Sequence, residues 1–198
     1  MSGTSEHLYD RPNVAATLNG TALFHTGKCC TNTVARLLCP PFVRIPVENL
    51  TDHIRVGLVR HPLDRLVSCW ADTTRPHRVF LIEMSRKHRI PIEGTYANMP
   101  FDEFAEVVMK QPGMNAHWIP QAWWLNVGRL PDHIIHFENI REEWAPFVEQ
   151  YGWPEFPEQK LNASEHAHWT EVIPEHLLPR LVNTYADDFD TFGYERPC

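Results

Sequence analysis

Apolar and polar positions follow two different periods along this chain. Thr21-Ala22-Leu23-Phe24-His25 and Ile54-Arg55-Val56-Gly57-Leu58-Val59 are short, mostly apolar runs, too brief for helices, and they read as buried strands. After each of them the period lengthens. Thr33-Val34-Ala35-Arg36-Leu37-Leu38 follows the first run, with Thr31 and Asn32 as caps. A second helix opens at Pro62 and runs through about Trp70 to Thr74, with the proline in a first turn that does not need its missing N–H. Strand, loop, helix therefore occurs twice. Residues 79–88 and 101–110 also have helical spacing, and Asp102, Glu103 and Glu106 stand early in the latter, where the helix dipole favours acids. Arg89 to Pro100 between them reads as a loop. His133 to Phe137 predicts a third buried strand, Glu142 to Tyr151 a short helix, and Pro174 to Phe189 a last helix whose apolar positions are Leu177, Leu178, Leu181, Val182, Tyr185 and Phe189. Strands alternating with helices predict an α/β fold in three layers, a P-loop-like central, mostly parallel sheet flanked by helices. Ligands of such sheets bind at the carboxyl ends of the strands, where both early loops lie.

Length and composition narrow the picture. The 198 residues suit one domain spanning the chain, with residues 1–18 left as a flexible lead-in. A hydrophobic share of 43%, with 7 Trp and 10 Phe, is enough for a core and excludes a disordered chain. No run reaches the ~18 apolar residues of a membrane span, and Met1 to Asp10 lacks a signal-peptide layout, so a soluble, cytoplasmic protein is expected. The 5 cysteines are odd in number and include an adjacent pair, which favours reduced thiols over a disulfide framework. The net charge of −7 argues against nucleic acid as a partner, yet it is unevenly placed: residues 1–100 carry net +4 and residues 101–198 net −11. A basic excess in the half that holds both loops suits a small polyanion bound locally.

Two constellations carry chemistry. The first is His25-Thr26-Gly27-Lys28-Cys29-Cys30-Thr31-Asn32-Thr33. A loop passing from strand to helix presents unpaired N–H groups and a positive dipole end, and Lys28, Thr31 and Thr33 add charge and donors for phosphate or sulfate oxygens. It is not a Walker A loop, because Gly20 is too far from Gly27 and Cys29 follows Lys28; a solvated lysine in a turn is the plain alternative. The second is Val59-Arg60-His61-Pro62-Leu63-Asp64-Arg65-Leu66-Val67-Ser68. Arg60 at the strand end and Ser68 two turns into the helix place a guanidinium and a hydroxyl where both reach one phosphate, unless Arg60 simply pairs with Asp64.

Together these segments resemble the sulfotransferases that use 3′-phosphoadenosine 5′-phosphosulfate (PAPS). Val59, Arg60, Pro62, Arg65 and Ser68 match the 3′-phosphate motif in register, with His61 where an Asp is commoner, and Cys30-Thr31-Asn32 is similar to the phosphosulfate loop of the carbohydrate branch, Golgi-type and bacterial. Lys28 precedes Thr31 by three residues where the family's loop lysine precedes its Thr or Ser by four. His117-Trp118-Ile119-Pro120-Gln121 resembles a His-Trp-x-Pro-Gln segment of the same branch, and Ile135 to Ile140, Leu161 to Ser164 and Asp188 to Tyr194 match later motifs in order. The resemblance implies sulfuryl transfer from PAPS to a hydroxyl of a carbohydrate or small-metabolite acceptor, with adenosine 3′,5′-bisphosphate leaving and no metal required. It implies Gly27, Lys28, Cys29, Cys30, Thr31, Asn32, Thr33, Arg60 and Ser68 as donor-binding residues, and Trp118 and Gln121 as acceptor-binding ones. An alcohol also needs a base, and His117, His25 and His53 compete for that role, with His117 first.

Three rivals remain. His133/His136 and His166/His168 suggest a metal, but a three-residue gap in a strand points a pair to opposite faces. Cys30 and Arg36 have cysteine-phosphatase spacing, yet the residues between them lack the glycine such a loop needs. A non-catalytic module that binds PAPS or the bisphosphate is the alternative from another class.

Overall fold

The computed structural model describes residues 14–29, 34, 42–74, 98–157 and 167–197. Its five strands are β1 (Val14–Leu18), β2 (Thr21–His25), β3 (Val43–Pro46), β4 (Ile54–Val59) and β5 (His133–His136). They form one sheet in the order β3-β1-β2-β4-β5. β2 runs parallel to β4, with Phe24 opposite Gly57 and His25 opposite Leu58, and β4 runs parallel to β5. β1 is antiparallel to both β2 and β3. The sheet is thus mixed, where the alternation of elements predicts a mostly parallel one. The reason is a tight hairpin: Asn19 and Gly20 both take positive φ, 46° and 80°, and the Asn-Gly pair that favours such a turn joins Val14–Leu18 to Thr21–His25. Residues 14–18 of the lead-in segment are therefore part of the sheet.

The helices are α1 (Pro62–Thr73), α2 (Phe101–Lys110), α3 (Gln121–Leu125), α4 (Ile140–Tyr151), α5 (Trp169–Val172), α6 (Leu178–Thr184) and α7 (Ala186–Phe192). Strand alternation sends side chains to two faces. Leu23, Val56, Leu58 and Ile135 pack with Trp144 and Phe147 of α4 and with Val34, which is helical. Ala22, Phe24 and Val59 pack with Ala122 and Leu125 of α3 and with Phe192. A third cluster joins α1 and α2 to α6 and α7 around Leu66, Phe104, Leu181 and Phe189.

β2, β4, α1 and α2 occupy the predicted spans. The predicted helix at 79–88 lies outside the described residues. β5 buries only Ile135 fully, as suits an edge strand rather than a buried one. The predicted helix from Pro174 to Phe189 is broken at Tyr185, whose φ and ψ of −105° and 20° leave the helical region. That break seats Tyr185 in the core, where its hydroxyl donates to the Trp118 carbonyl at 2.7 Å. Among the described residues no helix is long and apolar enough to cross a membrane.

Candidate functional site

Because β2 and β4 are parallel neighbours, the loops that leave them emerge side by side. Residues 26–29 leave β2, and Arg60 and His61 leave β4. Arg60 Nη1 donates to the Lys28 carbonyl at 3.4 Å, so the two candidate cations share one edge of the sheet. The Arg60 guanidinium also lies 4.7 Å from the centroid of the Phe137 ring, just past β5. Three parallel strands thus end at a single locus.

Two buried side chains fasten it. Gln121 opens α3 with no exposed surface, and its amide oxygen accepts from the Arg60 N–H at 3.0 Å and the Thr26 hydroxyl at 3.2 Å. Its amide nitrogen donates to the Arg60 carbonyl at 2.8 Å and to Asp188 Oδ2 at 3.3 Å. Asp188 is buried as well, which raises its pKa, and it also accepts from the Ala122 N–H at 2.8 Å. Arg65, 1% exposed on α1, donates to the carbonyls of Gly27, Ile119 and Ala116 at 3.0, 2.9 and 3.3 Å. Its charge is spread over three peptide dipoles that bind the β2 loop to the segment before α3. Gly27 fits there because a Cβ on it would stand 3.1 Å from both the Ala116 oxygen and the His117 Cα.

His117 is brought against the loop by the same packing. Asn115 Oδ1 accepts the His117 backbone N–H at 2.9 Å and lies 3.1 Å from His117 Nδ1. An amide oxygen only accepts, so the contact favours the tautomer with the proton on Nδ1 and leaves Nε2 as the basic nitrogen. His25 ends β2, and burial holds its pKa below that of an ordinary imidazole. His53 precedes β4 at the strand's amino end, about 20 Å of strand away from the locus.

Several sequence-derived candidates sit differently. Lys28 has φ 70°, and its ammonium lies 2.9 Å from Asp72 near the carboxyl end of α1. Cys29 is buried, its sulfur 3.0 Å from Thr26 Oγ1, and burial raises its pKa, which keeps it a protonated thiol. Ser68 is 2% exposed on α1. Asp64 accepts from the Trp169 N–H and lies 3.6 Å from His168, an engagement with α5. Trp118, placed with the acceptor by resemblance, is 1% exposed and packs edge-on against Phe104. Gln121, placed with it, holds backbone instead. His136 is held by Glu143 and the Phe192 carbonyl, each at 3.0 Å. Cys30, Thr31, Asn32, Thr33, Arg36 and His166 lie outside the described residues. Sequence reasoning missed the fastening role of Arg65 and Gln121; the signal for Arg65 was its setting among Leu63, Leu66 and Val67 on a helix with its apolar side inward.

Neither the curated proteins nor the solved structures contain a significant match to the chain. A family model does match, over residues 25–195, and its description is Sulfotransferase family. That span takes in both loops, the two residues that fasten them and every helix described above, and the chain belongs to the sulfotransferase family.

Proposed function

We propose that the protein moves a sulfuryl group from PAPS to a hydroxyl of a carbohydrate or small metabolite and releases adenosine 3′,5′-bisphosphate. The observation that carries this reading is the seating of Lys28 and Arg60 on adjacent parallel strand ends, joined by the Arg60 hydrogen bond to the Lys28 carbonyl. A donor with a phosphosulfate at one end and a 3′-phosphate at the other needs two separate cationic stations. The donor set fits that need in kind: a lysine acts as a point charge, and an arginine presents a planar fork suited to phosphate. Gly27 and Cys29, with Cys30, Thr31, Asn32 and Thr33, are assigned to the phosphosulfate beside Lys28, and Ser68 joins Arg60 at the 3′-phosphate.

When bound, the donor supplies an activated sulfuryl group on a bridging oxygen. Lys28 neutralises charge that gathers on that oxygen, work that positioning and electrostatics carry without a covalent intermediate on the protein. His117 takes the acceptor's hydroxyl proton at Nε2, since its Nδ1 proton is committed to Asn115. His25, kept neutral by burial, is the second candidate base.

Thermal unfolding with adenosine 3′,5′-bisphosphate, and with 5′-AMP as control, tests the donor site. Ligand at 100 times its Kd adds about 2.7 kcal/mol, a rise of roughly 5 to 10 °C in Tm for a domain of this size. The reading expects that rise in wild type, little with 5′-AMP and none in Arg60→Ala. A folded wild-type protein that shows no shift overturns it. Labelled-sulfate transfer to sugar and small-alcohol acceptors then separates an enzyme from a binding module, and a pH–rate profile of His117→Ala beside His25→Ala identifies the base.

A further inference from the structure

Asp72 has no role in the mechanism above, yet it holds the one residue of the β2 loop assigned to charge neutralisation. Its carboxylate stands 2.9 Å from the Lys28 ammonium, and both side chains are mostly buried, 14% exposed for Lys28 and 13% for Asp72. Two further features make this pair more than a surface contact. Lys28 adopts φ 70°, a conformation that a residue with a Cβ disfavours, so the chain is held in a strained turn that aims this side chain at α1. Asp72 is the penultimate residue of α1, where the negative end of the helix dipole disfavours a carboxylate. The ion pair thus contributes to holding both an acid at an unfavourable helix position and a lysine in an unfavourable conformation.

We infer that Asp72 is a positioning residue that fixes the Lys28 ammonium and competes with the donor's anionic groups for it. This rests on the PAPS reading. A carboxylate 2.9 Å from the binding cation lowers the attraction of that cation for a second anion and repels the anion directly. Removing the charge while keeping the shape therefore has opposite effects on two quantities: donor-site affinity rises, because the competitor is gone, and turnover falls, because Lys28 is no longer held in register. A residue that merely stabilised α1 would not improve binding.

The test is calorimetric titration of adenosine 3′,5′-bisphosphate into wild type, Asp72→Asn, Lys28→Ala and the double variant, with Arg60→Ala as the control for the site. Asp72→Asn is expected to bind about fivefold more tightly than wild type, the scale of one partly buried ion pair. In the Lys28→Ala background the same substitution is expected to give a smaller gain, because competition for the ammonium is gone and only the direct repulsion between Asp72 and the anion is left to relieve. With PAPS and an active acceptor, Asp72→Asn is expected to lower KM for the donor and kcat together. Should Asp72→Asn fail to fold, Asp72→Ala carries the same expectation for affinity. Wild-type binding that Asp72→Asn leaves unchanged or weakens overturns the role of Asp72 alone. A folded wild type that does not bind the bisphosphate, or an Arg60→Ala variant that binds it as well as wild type, overturns the donor-site reading and this inference with it.

Discussion

Arg60 and Arg65 stand five positions apart and do opposite work. Among the described residues, Arg60 holds one loop carbonyl and one aromatic ring, with its guanidinium half-buried at the sheet edge. Arg65 is enclosed and satisfies three carbonyls. Arg60→Ala is expected to abolish bisphosphate binding while changing unfolding free energy by about 1 kcal/mol or less. Arg65→Lys keeps the charge but cannot span three acceptors, and is expected to destabilise by about 2 to 4 kcal/mol, seen as a lower urea midpoint. Gly27→Ala, with 3.1 Å to two backbone atoms, is expected to cost about 1 to 3 kcal/mol and to weaken bisphosphate binding, because the loop must draw away from Ala116 and His117. Titration has a sign at this scale too. Burial lowers the pKa of His25 and His61 in the folded chain, so the unfolded chain binds protons first as pH falls. Stability is complete above about pH 6.5 and declines below it, each group adding at most about 1.4 kcal/mol per pH unit. Urea unfolding from pH 7.5 to 5 should show that decline, and His25→Gln should flatten it.

At the scale of elements, the site depends on how α1 and α3 are fixed to two strand ends. Gln121 ties α3 to the residue after β4 on both its N–H and its carbonyl. Gln121→Ala is expected to leave the Arg60 amide and carbonyl without their buried partner, costing about 1 to 3 kcal/mol and accelerating hydrogen exchange at the Arg60 amide well before global unfolding. Gln121→Glu is expected to be worse, since it sets a second carboxyl beside buried Asp188. The sequence shows clearly where the two family-like loops leave the sheet. Periodicity and the Pro62 start place β2, β4 and α1, and with them Lys28 and Arg60. It does not show what the helices do for the loops, because those contacts are non-local: Gln121 lies 61 positions from Arg60, and Asp188 lies 67 from Gln121. Trp118 and Gln121 looked like cleft residues in a motif; in the fold their side chains face the core and the backbone.

Across the whole molecule, charge and topology tell the site apart from its surroundings. A chain of net −7 that binds a small polyanion must do so through local cations, against a repulsive background. The proposed donor site therefore predicts a bisphosphate affinity set by short-range pairs at Lys28 and Arg60 and partly screened by salt; it should weaken severalfold between about 0.05 and 0.5 M salt while the unfolding free energy barely moves. The two antiparallel strands were the part of the architecture that alternation concealed. An element rule that expects a helix after every strand has no place for the Asn19-Gly20 turn, although the dipeptide itself announces it. That turn also bears on how the chain acquires its shape. β2 is the strand from which the Lys28 loop departs, and its partner on one side, β1, is only two residues away, whereas its partner on the other, β4, comes some thirty residues later. A hairpin closes in microseconds, and long-range parallel pairing is slower. The β1–β2 hairpin is thus expected to pair ahead of the parallel contacts with β4 and β5, which extend a register the turn has already set.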